Sequence, residues 1–385
     1  MLLTTALLTA AALTGEHSEQ AALEWFGGAF SEAIETATRE DRMILVYCWM
    51  DSEYCTQLYQ ETLLDPHSAE PLNEFVLVSA GHADPVGYEL MQSLNVQTLP
   101  TMFFLDSSGN VEDVISGLIP PATFLHELDR IQSGELTLSH LRSLVSESEK
   151  GSEENLESRM RIATKFADLG RFEEHEEMLQ SIRKLDPRGK TVPGANLLFQ
   201  DTMMQVAEDG GGDEHFAEWN LKPLYKVAAK IKPAAAKFEG YNRIADLELG
   251  QENPEAACKA YMAAFENASD ESVLYWGHDV AGWLIESERE LSKKERQFAL
   301  EVALRVHEAA ERKVVKSRTE GEMDGGECPA EKDLAAYVAR HLDLVTRAYD
   351  LVGDKTMAVT TALKCVELAP TDENRARLEE LRSRT

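Results

Sequence analysis

The side chains most able to do covalent chemistry in this chain of 385 residues are five thiols: Cys48, Cys55, Cys258, Cys328 and Cys365. A cysteine reacts as its thiolate, so exposure and neighbours that stabilise negative charge decide what it can do. Cys48 and Cys55 are the only two close in sequence. A bridge between them requires Cα atoms within about 7 Å, and Cys48, beside Trp49 in an apolar run, is expected to face a helix layer instead. Cys55 follows Ser52, Glu53 and Tyr54 at the start of a helical stretch. It reads as a lone reactive thiol or, as burial favours, a small buried hydrophobe. Cys258 and Cys365 lie among alanines on helical faces and read as small core residues. Cys328, in the loop GEMDGGECP (321–329), is expected to be the most exposed thiol, free or bridged to another chain.

An odd count cannot pair completely, and the wide spread fits no disulfide framework. No cysteine spacing suits zinc and the histidines are scattered, so no metal or cofactor is expected. EDGGGDEH (208–215) and the loop around Cys328 carry carboxylates without the ligand pattern of an EF-hand, and read as solvated turns.

Stepping along the chain, Phe30, Ala33, Ile34 and Ala37 recur at helical spacing within 21–41. MILVYCWM (43–50) is a continuous apolar run of strand length, suited to burial on both faces of a sheet. A helix is expected over 52–64, a strand over LNEFVLVSA (72–80), and a helix over 85–94. TLPTMFFLD (98–106) and VEDVISG (111–117) read as a hairpin joined by DSSGN, and PPATFLHELDRIQSG (120–134) as a helix begun by proline and stopped by glycine. This order predicts a small mixed sheet with helices on both faces. From about 154 onward no strand is expected. Helix–turn–helix units recur at 161–187, 241–265 and 342–370, each with an apolar face that it cannot bury alone.

Residues 25 to 132 resemble the thioredoxin-like domains of exported bacterial proteins. The likeness is carried by Trp25, the strand ILVYCW, Cys55 at a strand-to-helix turn, LNEFVLV and TLPTMFFLD. Enzymes of that family carry Cys-x-x-Cys at the start of the helix. Here Ser52-Glu53-Tyr54-Cys55 stands there, through replacement of the first cysteine or deletion of one residue. The resemblance implies that Cys55 holds the second, more buried position. It also implies that Ser52 lies where a helix N-terminus would stabilise a thiolate, and a hydroxyl neither ionises near neutral pH nor forms a disulfide. A cis peptide at Leu99–Pro100, with backbone beside it that pairs with an extended peptide, is implied as well. Oxidoreductases of the family often place an aspartate in the first strand, where Val46 and Tyr47 stand here. The helical region resembles tetratricopeptide repeats. Gly353, Ala358, Ala362, Cys365 and Pro370 match that motif's positions in the last unit, and Phe172, Leu179 and Pro187 do so in the first.

The formal charge of −30 disfavours binding to nucleic acid or anionic lipid. No internal stretch reaches the roughly 18 apolar residues of a spanning helix. MLLTTALLTAAALT (1–14) suits the core of a secretory signal, although no Lys or Arg precedes it. The expected organisation is a signal peptide at 1–20, a thioredoxin-like domain at 21–134, a linker at 135–153 and a tetratricopeptide-like solenoid at 154–385. The expected function is that of an exported, periplasmic or secreted protein, with a cytoplasmic location as the alternative. It would bind protein or peptide partners through the groove that the resemblance implies at Leu99 and Pro100, beside an active-site turn of Trp49, Ser52, Glu53 and Tyr54, with the repeats offering a concave surface to a second partner. The competing reading is a thiol–disulfide oxidoreductase or monothiol redox protein using Cys55, alone or with Cys48.

Overall fold

The computed structural model describes residues 23–323, 326–327 and 329–384; the expected signal segment and Cys328 lie outside these residues. Two compact units are formed. One comprises residues up to 147 together with 161–178, and the other comprises 148–160 and 179–385.

The first unit runs α1 (Phe30–Glu40), β1 (Ile44–Trp49), α2 (Glu53–Gln57), α3 (Pro66–Leu72), β2 (Val76–Gly81), α4 (Pro85–Ser93), β3 (Thr101–Leu105), β4 (Val111–Ser116), α5 (Pro121–Gln132) and α6 (Leu138–Glu147). The sheet order is β2-β1-β3-β4, with β1 parallel to β2 and antiparallel to β3. Alternation along β1 divides the core. Ile44, Val46 and Cys48 pack on one face with Ala33 and Ala37 of α1, while Leu45 and Tyr47 pack on the other with Leu58, Phe104 and Phe124. Burial on both faces explains why the run is apolar throughout rather than alternating.

Several elements depart from the sequence pattern. The expected strand at 72–80 starts only at Val76, because 66–72 forms α3, with Pro66 in its first turn and the Asp65 carboxylate accepting from the His67 N–H. The expected helix at 52–64 is α-helical to Gln57 and then widens to a π turn, Leu58–Leu63. Residues 135–153, expected as a linker, contain α6. Its Leu138 and Leu141 are fully buried on the α1 face of the sheet, and Glu112 accepts from the Ser139 N–H at 2.9 Å. Residues 161–178 complete the same face with Ile162, Phe166 and Leu169.

The remaining helices are α7 (Glu153–Asp168), α8 (Phe172–Leu185), α9 (Val192–Asp209), α10 (Lys222–Ala228), α11 (Ala234–Gly250), α12 (Pro254–Phe265), α13 (Asp270–Ser272), α14 (His278–Ile285), α15 (Lys293–Glu320), α16 (Glu331–Val352), α17 (Lys355–Leu368) and α18 (Asp372–Ser383). Short turns join α7 to α8, α11 to α12 and α16 to α17, through the positive-φ residues Gly170, Glu252 and Gly353. Alanines such as Ala245, Ala260, Ala264, Ala299 and Ala303 fill the second unit's core and let helices approach closely. One departure from an all-helical array is a two-residue antiparallel pair, β5 (Glu322–Met323) with β6 (Gly326–Glu327), where the chain turns back after α15 ends at left-handed Gly321.

Candidate functional site

β1 and β2 end on the same side of the sheet, Trp49 pairing with Gly81. In open α/β sheets the crevice beyond the carboxyl ends of parallel strands is where ligands bind. On the other flank of β1, Cys48 pairs with Thr101, which sets Trp49 beside Pro100. The Leu99–Pro100 peptide is cis, as expected. The Pro100 carbonyl accepts from the Gly117 N–H at 2.8 Å, whereas the Leu99 N–H and C=O have no hydrogen-bond partner among the described residues.

Ser52 caps α2. Its backbone is extended, and its Oγ accepts from the Cys55 N–H at 3.3 Å. The hydroxyl therefore serves the helix terminus and does not act on the sulfur. Cys55 is 2% exposed, and its Sγ accepts from the Met50 N–H at 3.5 Å. Glu53 and Tyr54 stand in solvent on the first turn.

Cys48 and Cys55 are not brought together. The pleat of β1 turns Cys48 to the α1 face, while Tyr47 points the opposite way and donates its hydroxyl to the Cys55 carbonyl at 3.0 Å. Both thiols are free. Burial pushes the Cys48 thiol up to about 12. Burial also raises the Tyr47 phenol, with the nearby Cys55 adding to the shift, so it stays a neutral donor. Cys258 and Cys365 are buried and free, each pushed up to about 11 by burial.

Sequence reasoning passed over a pocket of about 280 Å³ at this end of β1, lined by the buried Tyr47 and Cys55 and the half-buried Tyr59, with the exposed Trp49, Met50, Asp51 and Thr56 at its mouth. The rings of Tyr47 and Tyr59, both lining it, lie 6.3 Å apart, and the Trp25 ring packs against both at 6.1 and 6.5 Å. Trp49 is held by a hydrogen bond from its indole N–H to Ser79 Oγ at 2.9 Å and lies against Gly81. Tyr47 and Tyr59 sit on different elements, so only the fold makes them neighbours. Among the described residues no three His, Cys, Asp or Glu side chains are grouped to hold a metal ion, and no helix is long and apolar enough to cross a membrane.

A thioredoxin-like domain family matches residues 30–132. UBX domain-containing protein 4 from Homo sapiens and from Pongo abelii are each 26% identical over 115 residues, which is 30% of this chain and 23% of theirs. The chain thus spans about a quarter of the length of those curated relatives. The solution structure of a thioredoxin from Thermus thermophilus aligns at 30% identity and a TM-score of 0.26, covering 29% of this chain and 87% of that one. The four-stranded sheet, the helices on both its faces and the cis-proline opposite the end of β1 belong with that family match: residues 30–132 are a thioredoxin-like domain.

Proposed function

We propose that this is a protein- or peptide-binding module whose thioredoxin-like domain has a degenerate Cys-x-x-Cys and no redox pair. The observation that carries this reading is the hydrogen bond from the Cys55 N–H to Ser52 Oγ. A serine fills the helix-terminal position that a nucleophilic thiolate needs, and the one nearby thiol is buried. Binding is supported by the unpaired Leu99 backbone, which offers one donor and one acceptor to an extended strand. In this reading the helical hairpins are tetratricopeptide-like and hold a second partner, Leu99 and Pro100 contact the peptide, and residues 1–20 direct export to the periplasm or beyond.

The test is to incubate the full chain with oxidised glutathione from pH 6 to 9 and map adducts by mass spectrometry. Cys48 and Cys55 are expected to stay unmodified until the protein is denatured. A native adduct on Cys55, or a reducible Cys48–Cys55 bridge, would restore the thiol–disulfide enzyme reading.

A further inference from the structure

From Met43 to Asp129 the chain contains no lysine or arginine and thirteen aspartates and glutamates. This stretch supplies all four strands of the first unit and every residue lining the pocket beside Cys55. Asp51 stands at the pocket mouth and Glu53 on the adjoining turn, both exposed. Around them Trp49 is 37% exposed, Met50 42% and Tyr54 64%. Exposed large apolar side chains clustered in one place mark an interaction surface. At about 280 Å³ the pocket falls below the range of roughly 300–1,000 Å³ typical of sites for drug-sized molecules. It has room for one side chain.

We infer that the pocket takes a single aromatic or large aliphatic side chain from an extended, cationic segment of a partner protein, with lysines or arginines on both sides of that anchor facing Asp51 and Glu53. The inference rests on the peptide-binding reading above and adds the chemistry of the peptide. The anchor buries apolar surface against Tyr47 and Tyr59. The flanking cations meet carboxylates in a neighbourhood where no cation of the same stretch competes for them, so charge selects the partner and speeds the encounter. An acidic peptide would be repelled by like charge at Asp51 and Glu53.

Three fluorescein-labelled nonapeptides test this on the full chain by anisotropy. One has a central Phe between arginines, one a central Phe between serines, and one a central Ser between arginines. The first is expected to bind tightest at 50 mM NaCl and to lose most of its advantage over the second at 0.5 M. Asp51→Asn with Glu53→Gln is expected to weaken both arginine-flanked peptides by about five- to tenfold, for two exposed charge pairs, and to leave the serine-flanked one unchanged. Thr56→Trp, at an exposed helix position on the pocket mouth, is expected to remove the benefit of Phe over Ser at the centre. If the serine-flanked Phe peptide binds as tightly as the arginine-flanked one, the charge selection is overturned and peptide binding stands. Should the arginine peptide lacking Phe bind equally well, the pocket is not the anchor and the inference falls. Failure of all three to bind overturns the peptide-binding reading itself.

Discussion

Cys48 and Cys55 differ by seven positions yet live on opposite sides of a sheet, and one pleat of β1 is responsible. The same strictness governs Gly87. A Cβ built on it would lie 2.6 Å from the Gly81 nitrogen and 2.7 Å from the Gly81 oxygen. Those atoms belong to β2, whose main chain cannot rotate aside as a flexible side chain would. Gly87 thus lets α4 lie directly on the end of β2, next to the strand that carries Trp49. Gly87→Ala is expected to destabilise the first unit by about 1–3 kcal/mol, the range for overpacking a close contact. Urea unfolding monitored by tryptophan fluorescence checks this. A variant as stable as the parent would mean that α4 can slide without cost.

At the scale of elements, the first unit is held together by a buried charge cluster as well as by apolar faces. Asp113 on β4 is 2% exposed, and its carboxylate receives Arg130 Nη2 of α5 at 2.8 Å and Lys165 Nζ of α7 at 2.5 Å. Removing one cation leaves a buried carboxylate short of charge compensation. Lys165→Met is therefore expected to cost about 3 kcal/mol, and amide exchange in β4 and α5 should accelerate. Arg39→Ala, which breaks an exposed pair with Glu40, is expected to leave stability essentially unchanged, because solvent screens that pair. Equal effects of the two would show that Asp113 is satisfied by Arg130 alone. The sequence announced β1 and β3 clearly as unbroken apolar runs of strand length, and α1 by apolar residues at helical spacing. It concealed α3, a single short helix with Pro71 inside it, a residue that normally argues against helix. It concealed α6 because only Leu138 and Leu141 of its ten residues are buried. The absence of lysine and arginine from 43 to 129 was open to view but had no meaning until β1, β2 and α2 placed Asp51 and Glu53 around one pocket. That pocket itself could not be read, since its aromatic lining joins Tyr47 of β1 to Tyr59 of the π turn, twelve residues apart.

For the whole molecule the two units should respond differently to acid. The second unit buries His341 of α16 and half-buries His278 of α14 and His307 of α15. His341 is 6% exposed, neither ring nitrogen has a hydrogen-bond partner among the described residues, and the rings of Tyr337 and His278 lie 4.7 and 5.7 Å away. Burial, then the neighbouring His278, Arg340, His307 and Lys313, brings its pKa down from 6.5 to about 4. Burial lowers His278 and His307 too, against the opposing pull of Asp279 and Asp343 on the first and of Glu311 and Glu308 on the second. A lowered histidine pKa means that the unfolded chain binds the proton first. Stability is then full above about 6.5, falls as pH drops toward 4, and levels once the folded form also protonates. His341 alone accounts for a loss on the order of 3 kcal/mol across that window at 1.36 kcal/mol per unit. Acidification from pH 7 to 5 should therefore lower the unfolding temperature of the helical unit and speed amide exchange in α14 to α16, with a smaller change in β1 to β4. His341→Leu, which keeps the volume and removes the titration, should flatten that dependence. An unfolding temperature for α14 to α16 that is unchanged between pH 7 and 5 in the parent protein would show that these histidines reach solvent and protonate without opening the helices.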